Sequence, residues 1–214
     1  VRLSLLSSTL TTLLSLWVAV PIGYLMTRHP FRGRALVDAL LDIPIVLPPL
    51  VIGLSLLILF QWAPLRALER VFPVTYAVPS VVLAQFMVAC AFAVRTLRAT
   101  FESLDPRPEQ VALTLGCSRA EAFWRVVVPS ARKGILTAAT LAWARALGEF
   151  GPILVFSGAT RMRTEVLPTT VFLELSVGNL EAAVAVSLLM VAAAVAVLWM
   201  IRARGTGSVL GRAS

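Results

Sequence analysis

Charged residues are scarce in this sequence. They occupy 14% of its 214 positions, whereas about 25% of the residues of an average soluble domain are charged. Hydrophobic residues take 58% of the positions, and the mean hydropathy is +0.88. A soluble domain of this size has no core large enough for so much apolar side chain. The composition therefore predicts an integral membrane protein whose side chains are largely solvated by membrane lipid.

Residues that hold metals or act as nucleophiles are also rare. The sequence has one histidine, His29, and two cysteines, Cys90 and Cys117, without metal-ligand spacing. It contains no HExxH or Gly-x-Ser-x-Gly pattern and no Walker phosphate loop. We therefore predict that the chain is not an enzyme, has no catalytic or metal-binding residue, binds no cofactor directly and does not hydrolyse ATP.

The apolar residues form five stretches that are long enough to cross a bilayer, which takes about 20 residues. We predict transmembrane helices over 5–26, 36–60, 78–94, 135–156 and 182–201, with residues 1–214 forming one transmembrane domain. The long loop between the third and fourth spans covers residues 95–134. On the other side, residues 161–180 have the apolar spacing of a short amphipathic helix on the surface.

Basic residues determine the predicted orientation. The net charge is +8, and 13 of the 19 Lys and Arg residues lie between spans one and two, between spans three and four, or after span five. Such residues collect on the cytoplasmic side of membrane proteins. We therefore predict an outer N-terminus, a cytoplasmic C-terminus and a cytoplasmic 95–134 loop. The same placement accounts for the charge without nucleic-acid binding.

The 95–134 loop contains residues that are typical of the starts and ends of helices. Asp105 and Pro106 are typical of a helix start. Gly116 can adopt the left-handed conformation that ends a helix. We predict a first helix over 106–115 followed by a sharp turn.

A second short helix follows the turn. Ser118 and Glu121 have the spacing of a capping box, which predicts a helix over 119–127. Pro129 is predicted to end it. Phe123 and Trp124 beside Arg125 are typical of an interface anchor, but aromatic residues also gather at lipid headgroups.

The loop also carries a longer pattern, formed by Gln110, Val111, Ala112, Gly116, Val126, Val128 and Pro129. Its spacing resembles the cytoplasmic signature of ABC importer permeases: a Glu-Ala-Ala-like start, three residues, a glycine, nine residues, then an aliphatic residue, any residue, a second aliphatic residue and a proline. Gln110 departs from the usual glutamate, with Glu109 just before it. That departure resembles the molybdate-type branch.

Three further stretches, residues 30–34, 42–49 and 146–151, resemble molybdate and sulfate permeases. The resemblance implies an ABC type I importer-like fold and a homodimer in the cytoplasmic membrane of a bacterium or archaeon. It implies two ATP-binding cassette subunits that hydrolyse ATP with Mg on the cytoplasmic face. It also implies an extracytoplasmic oxyanion-binding protein. The helix over 119–127 would couple the pore to the ATPase.

The implied function is passage of a tetrahedral oxyanion, molybdate or tungstate in the first place. A sulfate or thiosulfate importer is the alternative, and a secondary carrier is a less favoured one. Many carriers have internal repeats, and the sequence shows none.

Prolines mark the second span as a candidate pore-lining helix. Pro44, Pro48 and Pro49 each remove a backbone donor, and such breaks are tolerated in membranes where the backbone faces protein or a water-filled cavity. A purely structural kink is the alternative.

The fourth span carries charges that are costly in a membrane. Arg145 and Glu149 lie four residues apart, so they share a helix face and are expected to pair with each other or across a dimer as a gate. The alternative places Arg145 near the inner headgroups. Pro152, after Gly151, is expected to kink the span near Glu149. Ser157, towards the outer side, is a pore-lining candidate or part of an ordinary helix end.

Two carboxylates near the start of the second span are poor ligands for an anion. We interpret Asp38 and Asp42 as structural partners of Arg32 or Arg34 at the inner surface.

Overall fold

The computed structural model describes residues 1–29 and 31–205, and every regular element in that part of the chain is helical. In chain order the helices are α1 Arg2–Arg28, α2 Arg34–Val46, α3 Pro49–Gln61, α4 Ala63–Val71, α5 Val78–Ser103, α6 Arg107–Thr114, α7 Arg119–Ala122, α8 Val128–Leu147, α9 Gly151–Phe156, α10 Leu167–Ser176 and α11 Leu180–Gly205. A π-helical turn, Phe123–Val127, joins α7 to α8. The predicted all-α fold is confirmed.

Three of the described helices are long and apolar enough to cross a membrane: α1, α5 and α11 as far as Val197. Helices α2 and α3 pass the same test together, but they meet at an angle of 118°. The stretch predicted as one span over 36–60 is therefore a bent pair. The bend follows from Pro48 and Pro49, because a residue that precedes proline avoids the helical conformation, and both Leu47 and Pro48 are extended.

The stretch predicted as a fourth span over 135–156 is also two helices. Helix α8 begins earlier, at Val128, and ends at Leu147, and α9 starts at Gly151. Pro152 lies in the first turn of α9, where its missing N–H costs nothing. The predicted kink near Glu149 is thus a complete break over residues 148–150.

The two broken helix pairs pack directly on each other. A Cβ atom added to Gly53 of α3 would lie 2.8 Å from Cα of Pro152, and one added to Gly151 would lie 2.7 Å from Cβ of Pro49. Each glycine therefore lets a backbone approach that any side chain would block. This reciprocal contact holds the start of α9 against α3.

Helices α1, α5 and α8 form the centre of the described fold. Gly23 of α1 lies against Leu97 and Arg98 of α5, and Gly134 of α8 lies against Thr100 of the same helix. Small residues allow membrane helices to approach closely, which maximises packing contacts where lipid supplies no hydrophobic driving force.

One face of α1 is lined with buried hydroxyl groups, from Ser4, Ser7, Ser8, Thr11, Thr12 and Ser15. Several of them bond within the helix: Ser8 Oγ donates to the Ser4 carbonyl at 2.6 Å, and Thr12 Oγ1 donates to the Ser8 carbonyl at 2.7 Å. These bonds satisfy polar groups that would be costly to bury alone.

The acidic residues of α2 have partners other than those the sequence predicts. Asp38 pairs with Arg98 and Asp42 pairs with Arg95, both on α5. Arg32 and Arg34 were the expected partners because they are close in sequence. The packing of α2 on α5 brings nearer cations to the carboxylates, so the pairs tie two helices together.

Helices α5 and α10 lie where the sequence predicts helices, and α5 is longer than predicted. The third span, predicted over 78–94, continues as a helix to Ser103, so α5 reaches into the loop predicted over 95–134. The short helix predicted within 161–180 is present as α10, and Gly178, with φ +79°, follows its end.

Candidate coupling surface and gate

The first helix of the loop, α6, begins and ends close to the predicted residues. The Arg107 backbone N–H donates to Oδ1 of Asp105 at 3.0 Å, which caps the helix start. Gly116 has φ +91°, in the left-handed region, and a Cβ there would touch no atom within 4 Å. Conformation, and not crowding, therefore favours glycine at this position. Gln110 is exposed on α6, whereas Ala112 is buried.

The predicted capping box at the second helix is confirmed. The Ser118 backbone N–H donates to Glu121 Oε2 at 2.8 Å, and the Glu121 N–H donates to Ser118 Oγ at 3.2 Å. The Ser118 hydroxyl also donates to Glu121 Oε2, at 2.9 Å, and the two bonds that Ser118 donates, the backbone one first, lower the pKa of the exposed Glu121 carboxyl. The carboxylate therefore remains charged at the positive end of the helix, which fixes where α7 starts.

The predicted stop at Pro129 is wrong. The chain continues from α7 through the π turn into α8 without leaving the helical conformation. The Val128 N–H bonds to the Phe123 carbonyl, a wider i to i−5 step. Pro129 follows in the first turn of α8, where the widened ladder accommodates a residue without an N–H. Residues 119–147 thus form one rod, which we call the coupling rod.

The two aromatic residues of the rod face different surroundings. The side chain of Trp124 is 65% exposed, with Arg125 exposed beside it. Phe123 is half-buried, with its ring centroid 4.7 Å from that of Tyr24 on α1. Only one of the pair, Trp124, is therefore exposed at the surface, and Phe123 packs inward.

The charges of the fourth span pair within the chain. Arg145 Nη1 lies 2.7 Å from Glu149 Oε2, although Glu149 stands in the break beyond α8 and not on the same helix. The Glu149 side chain is 2% exposed and that of Arg145 is 34% exposed. The guanidinium also lies 5.8 Å from the centroid of the Phe92 ring. The expected pair is present, held by a loop residue and a helix residue.

The remaining pore candidates lie around the two breaks. Pro44 is buried and lines an apolar cavity of about 270 Å³ at the bend between α2 and α3. Pro48 and Pro49 are exposed. Ser157 follows α9 and is fully buried, and within the described residues its hydroxyl has no hydrogen-bond partner.

Comparison with known proteins identifies the group to which this architecture belongs. Residues 19–204 match the family described as the binding-protein-dependent transport system inner membrane component. The chain belongs to this permease family. It is therefore a membrane component of a transport system, and the resemblance stated from the sequence is confirmed.

Named relatives of the permease include transporters of several oxyanions. It is 39% identical over 203 residues to a probable molybdenum ABC transporter permease of Haloferax volcanii, covering 95% of this chain and 74% of the relative. It is 38% identical over 154 residues to a molybdate/tungstate transport system permease of Pyrococcus abyssi, covering 72% and 58%. A sulfate transport system permease of Escherichia coli is 31% identical, covering 94% and 73%. The chain thus spans less than two thirds of the Pyrococcus relative.

A solved structure shares the fold of the permease. The crystal structure of an amino acid ABC transporter with histidines matches with a TM-score of 0.61 over 94% of this chain and 91% of that chain. The sequence identity is 19%, so the likeness concerns the fold alone.

Sequence reasoning did not select three residues that the permease brings together at its loop. Tyr24 and Arg28 at the end of α1 both contact Glu109 of α6. The sequence feature that could have indicated this cluster was Glu109, an acidic residue beside the first position of the loop pattern. Nothing local in the sequence connects it to α1, which is 85 residues away for Tyr24.

Proposed function

We propose that the chain is the membrane-spanning subunit of an ATP-driven importer for a tetrahedral oxyanion, molybdate or tungstate. It works as a homodimer around one pore. Two ATP-binding cassette subunits hydrolyse ATP with Mg on the cytoplasmic face, and an extracytoplasmic binding protein delivers the anion. The proposed topology has five membrane crossings, in which the broken pairs α2–α3 and α8–α9 each count as one. The N-terminus lies outside and the C-terminus inside, so that the coupling rod begins on the side of the ATPase.

The observation that carries this proposal is the coupling rod. Trp124 is exposed near the first end of the rod, and Arg145 lies near its other end, in the last turn of α8. The helical conformation is unbroken between them. Aromatic residues flanked by arginine are typical anchors of protein interfaces. A partner that docks on Trp124 and moves it would therefore displace the gate pair at the far end of the same rod.

The substrate assignment rests on the named relatives and on the chemistry of the path. Relatives from two archaeal genera carry molybdenum or molybdate/tungstate names, each at 38–39% identity. Of the buried polar side chains near the break at 148–150, Glu149 is paired with Arg145. The others, Ser157 and Gln85, carry a hydroxyl and an amide, which are neutral groups suited to passing a dianion without trapping it. Sulfate is the second candidate, favoured by the sulfate permease of Escherichia coli.

Element-specific accumulation tests the proposal. Cells without their own oxyanion importers would express the chain with its ATPase and binding protein, in medium low in molybdate, tungstate and sulfate. Mass spectrometry would then measure intracellular Mo, W and S. We expect ATP-dependent accumulation of Mo or W that falls about tenfold in Trp124→Ala, as expected for loss of an interface anchor. The matched control is Trp62→Ala, an exposed tryptophan outside the loop.

Three outcomes would contradict parts of the proposal. Accumulation of S alone moves the substrate to sulfate. An equal loss in both tryptophan variants contradicts the assignment of the coupling surface. Accumulation by the chain without its ATPase favours a secondary carrier and overturns the importer.

A further inference from the structure

The cytoplasmic end of α1 contacts the loop through a buried tyrosine. The Tyr24 hydroxyl donates to Oε1 of Glu109 in α6. Arg28, one turn further along α1, places its Nε 3.5 Å from Oε2 of the same carboxylate. The side chain of Glu109 is 13% exposed, and Tyr24 is buried. A charge-assisted bond in such surroundings is stronger than one in water.

Aromatic rings extend this contact in both directions. The Tyr24 ring lies 4.7 Å from Phe123 of the coupling rod and 6.0 Å from Phe101 of α5, measured between centroids. Phe123 in turn lies 5.1 Å from the exposed Trp124. A continuous series of ring contacts therefore leads from the candidate docking residue into the centre of the fold. We call Tyr24, Arg28, Glu109 and Phe123 the Tyr24 cluster.

We propose that Tyr24 and Glu109 are positioning residues of the transport cycle, which make α1 follow the coupling rod when the ATPase displaces it. The inference rests on the proposed function, since it assigns residues that act between the ATPase surface and the membrane helices.

The order of the helices along the chain explains why α1 needs contacts to follow the coupling rod. The rod includes α8, so a displacement at its Trp124 end moves α8 directly. Helices α2 to α5 separate α1 from α6 along the chain. The link between α1 and the rod is therefore made only of non-covalent contacts. Tyr24 contacts α5, α6 and the π turn at once, through Phe101, Glu109 and Phe123. A displacement of the rod is thereby shared among α1, α5 and α8, which pack together.

The experiment uses the whole complex of permease, ATPase and binding protein in vesicles. The variant Tyr24→Phe keeps the ring contacts and removes the hydroxyl bond. Glu109→Gln keeps an acceptor for the hydroxyl and removes the charge that pairs with Arg28. The matched control is Tyr76→Phe, the same change at the other tyrosine, which is exposed between α4 and α5. The readout is the amount of Mo or W transported per ATP hydrolysed.

We expect both cluster variants to lower the transported amount per ATP by about fivefold or more, the lower end of typical coupling between two sites. Co-purification of the ATPase should persist, because Trp124 and the Ser118 cap are unchanged. An unaltered ratio in both variants would overturn the inference. A loss of transport that merely follows a loss of bound ATPase would also overturn it, because the cluster would then belong to the docking surface.

The two proposals fail in different ways. If the unaltered complex transports neither Mo nor W, the proposed substrate is at fault. If the unaltered complex transports and the variants match it, only the role of the Tyr24 cluster is refuted.

Discussion

Gln85 donates from its side-chain amide to the carbonyl oxygen of Ala146, 2.9 Å away. That carbonyl belongs to the last turn of α8, where it also accepts a bond from the Glu149 backbone N–H at 3.3 Å. Oε1 of Gln85 accepts a bond from Thr11 Oγ1 at 3.2 Å. One fully buried side chain of α5 therefore joins α1 to the broken end of α8, beside the ion pair of Arg145 and Glu149.

Replacing Gln85 by leucine should destabilise the protein. The change leaves the Ala146 carbonyl with one donor fewer and Thr11 with the Val82 carbonyl as its acceptor, at a cost of about 0.5–2 kcal/mol in the free energy of unfolding. Thermal unfolding in detergent measures the change. Gln61→Leu, at an exposed position of α3, is the control and should leave the midpoint unchanged. Equal midpoints for Gln85→Leu and the unaltered protein would contradict the bridging role.

Alanine at either glycine of the crossed helix pairs should disrupt their packing. In Gly53→Ala and Gly151→Ala the new Cβ meets Pro152 Cα or Pro49 Cβ at less than van der Waals distance, which costs about 1–3 kcal/mol. The same thermal assay tests this. Gly148→Ala is the matched control, because its Cβ would meet nothing closer than the Ala144 carbonyl at 3.5 Å. If all three variants unfold alike, the close approach of α3 and α9 is not what holds the pair.

Loss of the charge on Glu149 should impair transport more than expression. In Glu149→Gln the Arg145 guanidinium loses its buried counter-charge. A change of about 1.4 kcal/mol in the free-energy difference between the open and closed states of the pore shifts their ratio tenfold. Uptake of Mo per milligram of permease measures the effect, and Glu149→Ala should behave alike. Glu181→Gln, an exposed carboxylate in the first turn of α11, serves as the control.

The double variant Arg145→Glu/Glu149→Arg examines the pair itself. Partial recovery of uptake relative to Glu149→Arg alone would support an ion pair as the working unit. Full uptake in Glu149→Gln would refute the gate role.

Strain at Gly116 should weaken ATPase binding. A side chain in the left-handed conformation costs about 1–2 kcal/mol, so Gly116→Ala should shift the turn that orients α7 and reduce the affinity for the ATPase about fivefold or more. Titration of solubilised permease with purified ATPase gives the affinity. Gly33→Ala introduces comparable strain at φ +99° in the loop between α1 and α2, away from the rod, and should leave the affinity unaltered. A similar loss in both variants would show a general effect of strain.

Local features of the loop were predictable because their causes are local. The Ser118 cap, the left-handed Gly116 and the helix start at Asp105 each depend on residues within a few positions of one another. Hydropathy likewise located the apolar stretches, because lipid requires long runs of apolar residues. The fate of Pro129 was not predictable in the same way. Whether a proline ends a helix or follows a π turn depends on how α8 packs against α5.

Partners distant in sequence could not be predicted. Asp38 and Asp42 pair with arginines of α5 instead of the nearby Arg32 and Arg34, since only the packing of α2 on α5 fixes the distances. The contact of Tyr24 with Glu109 has the same origin.

Composition and short-range sterics were enough to predict from the sequence that this protein lies in a membrane, is helical and carries a capped, glycine-turned loop of the permease type. The packing of the helices decided that α7 continues through the π turn into α8 and that the broken helix pairs meet at Gly53 and Gly151. It also decided that Gln85 links α1 to α8 and that Tyr24 links α1 to the loop. Those features depend on backbones meeting across the fold, where a few tenths of an ångström separate contact from collision.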